Sequence, residues 1–156
     1  LTVSFHACKD ENTEKKSQNS IKQDSLNLKL NIKAYDAVSL NNGADSLTRD
    51  WPMYNSLKNE MERMQDYTLQ DLMTNIISIE SVVDSLQETI PRQVDTLPVQ
   101  SRVKILDIKA KFMLELSQKQ KPKLDKIMKI AEEYPMEFNA LNIQLNEVFL
   151  ELPKFD

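Results

Sequence analysis

The sequence predicts an all-α fold, an antiparallel helical bundle formed by a long helical hairpin with additional shorter helices. Three observations predict it. Apolar residues from Trp51 to Ile90, and again from Val99 to Leu152, recur in steps of three and four, the spacing of one helix face. Gly43 is the one glycine among 156 residues, which disfavours tight β-hairpins and excludes glycine-rich phosphate loops. Prolines at Pro52, Pro91, Pro98 and Pro122 fall at the edges of the periodic runs, where they start or stop helices.

Taken in chain order, residues 26–38 are the first element. Leu26, Leu28, Leu30 and Ile32 alternate with polar residues in a strand pattern, yet Leu26, Leu30, Ala34 and Val38 also line one helical face. A short helix is preferred because no second strand is in sight, with Asn41-Asn42-Gly43 as its stop. The strand alternative would make this segment a candidate for β-addition to another protein. A helix from Trp51 to Ile90 follows, with Asp50 as N-cap and Pro52 in its first turn. Tyr54, Leu57, Met61 and Met64 lead through a stutter at Thr68 into Leu69, Leu72, Ile76, Ile79, Val83, Leu86 and Ile90. One continuous helix of that span would be about 55–60 Å long.

Pro91 to Leu97 is a short connection, so the next helix folds back, with Asp95 or Thr96 as cap and Pro98 in its first turn. Its seam runs Val99, Val103, Leu106, Ala110, Met113, and resumes as Leu124, Ile127, Ala131, Tyr134, Phe138, Leu141, Leu145, Val148 and Leu152. Ser117 and Gln120 make a polar gap before Pro122, predicting a break or loosened turn there. At Pro135 the phase holds on both sides, predicting a kink. Ile105, Ile108, Phe112 and Leu116 widen the stripe to a second face, which calls for a second neighbour.

The N-terminus has a different character. Leu1 to Ala7 is uncharged and mostly apolar, Cys8 is the only cysteine, and a charged stretch begins directly at Lys9. That layout resembles a bacterial lipoprotein cleavage site, which would make residues 1–7 a signal-peptide remnant and Cys8 the lipid-bearing residue. The plain alternative is a lone thiol in a frayed terminus. Residues 8–24 then form the lipidated cysteine and a disordered tether, and residues 25–156 the helical bundle domain. Lys9, Asp10 and Glu11 are similar to the export signal of surface lipoproteins of the Bacteroidota. Together with the tether and the Phe138–Asn146 helix, they make the chain resemble small uncharacterised helical lipoproteins of that group. The resemblance implies an outer-membrane location, lipid-anchored, with the cell surface favoured over the periplasmic face.

Composition bounds the chemistry. A net charge of −4 and a pI near 5.1 argue against nucleic acid as a partner. No apolar run approaches the ~18 residues of a membrane span, which leaves lipid as the membrane connection. His6 is the only histidine and lies in the leader, so the Glu-x-x-His pairing of di-metal bundles and any Ser/His or Cys/His arrangement are missing from the mature chain. Carboxylates such as Glu60 beside Arg63, or Glu132 with Glu133, read as solvated faces. No cofactor, metal or catalysis is expected.

Two groups remain as candidates. Lys119, Lys121, Lys123, Lys126 and Lys129 cluster around Pro122 and suit contact with anionic lipid or lipopolysaccharide, or else complement a helix dipole and solubilise a turn. Trp51 with Tyr54 is either a partner anchor or packing at a helix entry. The functional expectation is an accessory or scaffold protein of the envelope acting through protein contacts. The alternative is a binder of a small apolar ligand or lipid, held between helices or at the lysine cluster.

Overall fold

The computed structural model describes residues 24–32 and 36–150. Among them are five helices of eight residues or more: α1 Asn42–Arg49, α2 Pro52–Met64, α3 Leu69–Glu88, α4 Leu97–Ser117 and α5 Leu124–Val148. Long-range contacts show that neighbours run antiparallel. Trp51 Nε1 at the start of α2 donates to Thr89 Oγ1 at the end of α3, at 3.1 Å. Lys111 of α4 reaches Asp84 of α3 at 2.9 Å. Lys109 of α4 meets Glu133 at 3.1 Å and Glu137 at 2.8 Å, both on α5. The α2–α3 and α4–α5 turns therefore share one end of the bundle, and the α3–α4 turn lies at the other.

The core is the periodic seam. Tyr54, Leu57, Met61, Met64, Leu69, Leu72, Ile76, Ile79, Val83 and Leu86 are buried, as are Val99, Val103, Leu106, Ala110 and Met113 facing them. Ile127, Ala131, Tyr134, Phe138, Leu141 and Leu145 complete it from α5. Burying a large apolar side chain contributes about 1.5–3 kcal/mol, so this interface holds the helices together.

Four local expectations are corrected. The helix expected from Trp51 to Ile90 divides at residues 65–68. Thr68 starts α3 with a capping box: its hydroxyl accepts from Asp71 N at 3.2 Å, and its own N–H donates to Asp71 Oδ2 at 2.8 Å. The apparent stutter is therefore a corner, sealed by a reciprocal cap.

Residues 28–32 and 36–41 are non-helical, with a helical turn only at 24–26, in place of the expected short helix. Leu30 N donates to Tyr67 O at 2.9 Å and Leu69 N to Leu28 O at 2.8 Å, a single antiparallel bridge onto the α2–α3 corner. Asn41 then begins a helix where a stop was expected, its side chain accepting from Ala44 N. Asp50 closes α1, and Trp51 takes the N-cap position of α2.

The prolines behave as their contexts dictate. Pro52 and Pro98 lie in first turns. The chain is non-helical from Gln118 through Pro122 to Lys123, whereas α5 runs unbroken through buried Pro135. There, apolar packing on both sides outweighs the ~3 kcal/mol penalty of an interior proline.

Gly43 lies inside α1 without a positive φ, so turn geometry does not explain it. A Cβ at Gly43 would come within 2.6 Å of Phe149 Cδ1 and 2.7 Å of its Cγ. Gly43→Ala gains helix propensity of roughly 1 kcal/mol but drives a methyl into that ring. A net loss of about 1–2 kcal/mol is expected in urea unfolding. A variant as stable as the parent would show that Phe149 can step aside.

Candidate functional site

The non-helical segment 36–41 has no sheet to pair with, so its backbone groups need other partners. A ladder of asparagines on α5 supplies them. Asn139 Oδ1 accepts from Val38 N at 2.9 Å, and its Nδ2 donates to Asp36 O at 3.0 Å. Asn146 Oδ1 accepts from Asn41 N at 2.7 Å, and its Nδ2 donates to Ser39 O at 2.8 Å. Between them Asn142, only 2% exposed, donates to Val38 O at 3.3 Å and accepts from Tyr54 Oη at 2.8 Å. Each amide carries a donor and an acceptor on one carbon, which lets it substitute for a neighbouring strand.

Sequence reading placed no role on Asn139, Asn142 or Asn146. Their signal was present as amides spaced by three and four, each one position after the seam residues Phe138, Leu141 and Leu145.

A second polar centre lies between α3 and α4. Asp107 is fully buried on the seam, with Lys104 Nζ 2.7 Å from Oδ2 and Lys111 Nζ 2.8 Å from Oδ1. Lys111 also holds Asp84 at 2.9 Å. The contact to Oδ1 closes the charge pair but is not aligned as a hydrogen bond.

Burial raises the Asp107 carboxyl, but the two lysines outweigh it and hold the group below its ordinary value. Lys111 is correspondingly held above the usual ammonium range by its close contacts with Asp107 and Asp84. Oxygens of Glu80, Asp84 and Asp107 approach within 4.8 Å of one another, close enough to share a cation. The Lys111 ammonium already fills that role for Asp84 and Asp107, so the arrangement is a structural charge cluster. Lysine at i−3 and i+4 from Asp107 was its sequence signal.

Two tyrosines, Tyr67 partly buried and Tyr134 fully buried, add to the polar interior. Burial, then the hydrogen bond to Glu60 at 2.9 Å, pushes the Tyr67 phenol up to about 12. Glu60 also pairs with Arg63. Tyr134 donates to Leu106 O at 3.0 Å, and burial raises its phenol further still.

Among the described residues, the outward face of α4 carries a row of exposed apolar side chains. The expected second neighbour covers Leu116 but not the rest. Ile108 is 56% exposed and Phe112 46%, while Ile105 is half-buried. With Leu97 and Ser101 these residues follow steps of four, four, three and four, one stripe about 22 Å long along the helix. Its N-terminal part opens onto a groove of about 670 Å³ lined by Ile90, Leu97, Ile105 and the polar Gln100 and Lys104.

The sequence-predicted sites separate cleanly. Trp51 and Tyr54 are each 2% exposed and stack at a ring distance of 5.8 Å, with Tyr54 5.3 Å from Phe138. They are core, because the indole N–H and the phenol find their partners inside, and a partner anchor would need exposure. Lys119, Lys121, Lys123, Lys126 and Lys129 are exposed and gathered at the α4–α5 end. Glu132 accepts from Asn31 N at 2.8 Å, and Glu133 pairs with Lys109. Cys8, Lys9, Asp10 and Glu11 lie outside the described residues.

No protein-family model, curated protein or solved structure matches the chain. Among the described residues, no helix is long and apolar enough to cross a membrane.

The Asp107 cluster sets a pH dependence. A carboxyl held below its unfolded value of ~3.9 stabilises the fold above that pH, and the contribution fades as pH falls through the folded value. The parent protein is expected to lose stability progressively below about pH 4, with a shallower acid limb in Asp107→Asn. Lys104→Met with Lys111→Met, leaving the carboxylate buried and alone, is expected to cost about 3–5 kcal/mol at neutral pH. Chemical denaturation across pH checks both, and identical acid limbs would exclude Asp107 as their source.

Proposed function

We propose that the protein is a lipid-anchored accessory or scaffold protein of the bacterial envelope, which docks a partner protein through the outward face of α4 and performs no catalysis. The observation that carries this reading is the exposed stripe of Leu97, Ile105, Ile108 and Phe112. An apolar row this regular on a finished bundle is a surface suited to a partner's amphipathic helix. The flanking charges Lys104, Lys109 and Lys111 are already paired within the molecule, so they frame the stripe without competing for it. Tethering through Cys8, outside the described residues, rests on the resemblance of residues 1–11 to a lipoprotein leader. Placement at the outer membrane and display at the cell surface belong to the same proposal.

Two measurements test it in cells of the source organism. A photocrosslinking residue at Ile108 or Phe112 is expected to give one discrete adduct, whereas one at exposed Met136 on α5 gives none. Phe112→Glu should abolish the Ile108 adduct while thermal unfolding is unchanged. The same product from all three positions would remove the α4 face from the proposal. Feeding an alkynyl fatty acid is expected to label the protein and not its Cys8→Ser variant; an unlabelled parent would remove the anchor.

A further inference from the structure

The lysine cluster is unusual in where its charges fall on the helices. Residues 118–129 hold five lysines against one aspartate, a net +4 in a chain whose total is −4. Lys119 follows the end of α4, pairs with Glu115 at 3.0 Å and suits the negative end of that helix. The others do not fit that explanation. Lys123 is the N-cap residue of α5, and Lys126 and Lys129 lie in its first two turns, where the helix dipole is positive and repels them. Lys123 also provides no side-chain cap hydrogen bond for the start of this 25-residue helix. Five exposed lysines against Asp125 make the start of α5 a cationic surface, suited to anions such as phosphate.

The topology says which way this surface faces. The α4–α5 turn lies at the same end of the bundle as the α2–α3 corner. Leu28 and Leu30 pair their backbone with Tyr67 and Leu69 at that corner, so the described chain begins, at Asp24, beside the lysine-bearing end. At the opposite end lie the α3–α4 turn and α1, which shares a groove with Pro91, Gln93 and Phe149. The described chain therefore begins at the lysine-bearing end of the domain, which those lysines share with Glu62 and Asp66 of the α2–α3 corner.

We propose that this end, with Lys119, Lys121, Lys123, Lys126 and Lys129 around the start of α5, binds the phosphate groups of an anionic phospholipid bilayer and seats the bundle end-on upon it. This deepens the tether reading above. Anchor and basic surface act from one side, so the tether raises the local concentration of headgroups at the lysines. A bundle standing on this end leaves the side-facing stripe of α4 clear of the bilayer.

The test uses the full-length, unacylated protein and sedimentation with vesicles of phosphatidylcholine, alone or mixed with phosphatidylglycerol. Binding is expected to the mixed vesicles only, and to fall with added salt. Replacing all five lysines by glutamine should weaken it about tenfold or more, since each basic residue near a charged surface contributes about fivefold. Replacing them by arginine should preserve it, and circular dichroism confirms that each variant is folded. Arg49→Gln, Arg92→Gln and Arg102→Gln together, at the far end, should leave it intact. Equal binding to both vesicle types, or equal loss in the far-end variant, would overturn the proposal. So would a glutamine variant that binds as well as the parent. Because no acyl chain is present in this assay, its failure leaves the Cys8 labelling result standing, and the reverse also holds.

Discussion

The amide of Asn142 is the point on which the fold turns. It is buried where the non-helical strap, α2 and α5 converge, and both its functional atoms are used: one toward Val38 O, the other toward Tyr54 Oη. An unpaired buried amide costs about 1–3 kcal/mol, so any slip of the strap or of α2 along α5 is opposed by stranding it. Tyr54, fixed by that bond, stacks on Trp51, which is in turn tied to Thr89 at the end of α3. One side chain thereby sets the register of pieces more than a hundred residues apart. The apolar seam provides the larger share of stability, but apolar packing alone tolerates sliding by a helical turn; the directional bonds do not.

The seam was fully legible because burial in a bundle imposes a period, and every seam position from Tyr54 to Leu86 and from Val99 to Met113 obeys it. The corner at Thr68 was hidden for the same reason. The step of five from Met64 to Leu69 reads equally as a stutter in one continuous helix, since both helices face one core, and the threonine with Asp71 three residues on is what marks a cap. The strap was misread because alternation and helical spacing coexist in Leu26, Leu28, Leu30 and Ile32. What settles its conformation is a distant partner, the α2–α3 corner for Leu28 and Leu30 and α5 for residues 36–41, and no local pattern contains that. Of the surfaces, the lysine group could be read from residue order alone. The bare stripe of α4 could be seen as apolar, but whether Ile108 and Phe112 would be covered depends on how many helices the chain folds around them.

These surfaces divide the molecule's outer face by chemistry. The side of α4 is apolar and bordered by charges already satisfied within the bundle, so contact there depends on shape and exclusion of water. The α4–α5 turn carries five exposed lysines, suited to loose electrostatic attachment. An end and a side of the bundle can be engaged at once.

The manner in which the strap is held has a consequence for variation. Asn139, Asn142 and Asn146 grip carbonyl oxygens and N–H groups, while the side chains of Asp36, Ala37 and Ser39 project into solvent. The fold therefore reads positions 36, 37 and 39 as bare polypeptide, whereas Leu40 packs on the core and the Asn41 side chain caps α1. Proline is disfavoured at 38 and 41, because it would erase a donor that an asparagine is waiting to receive.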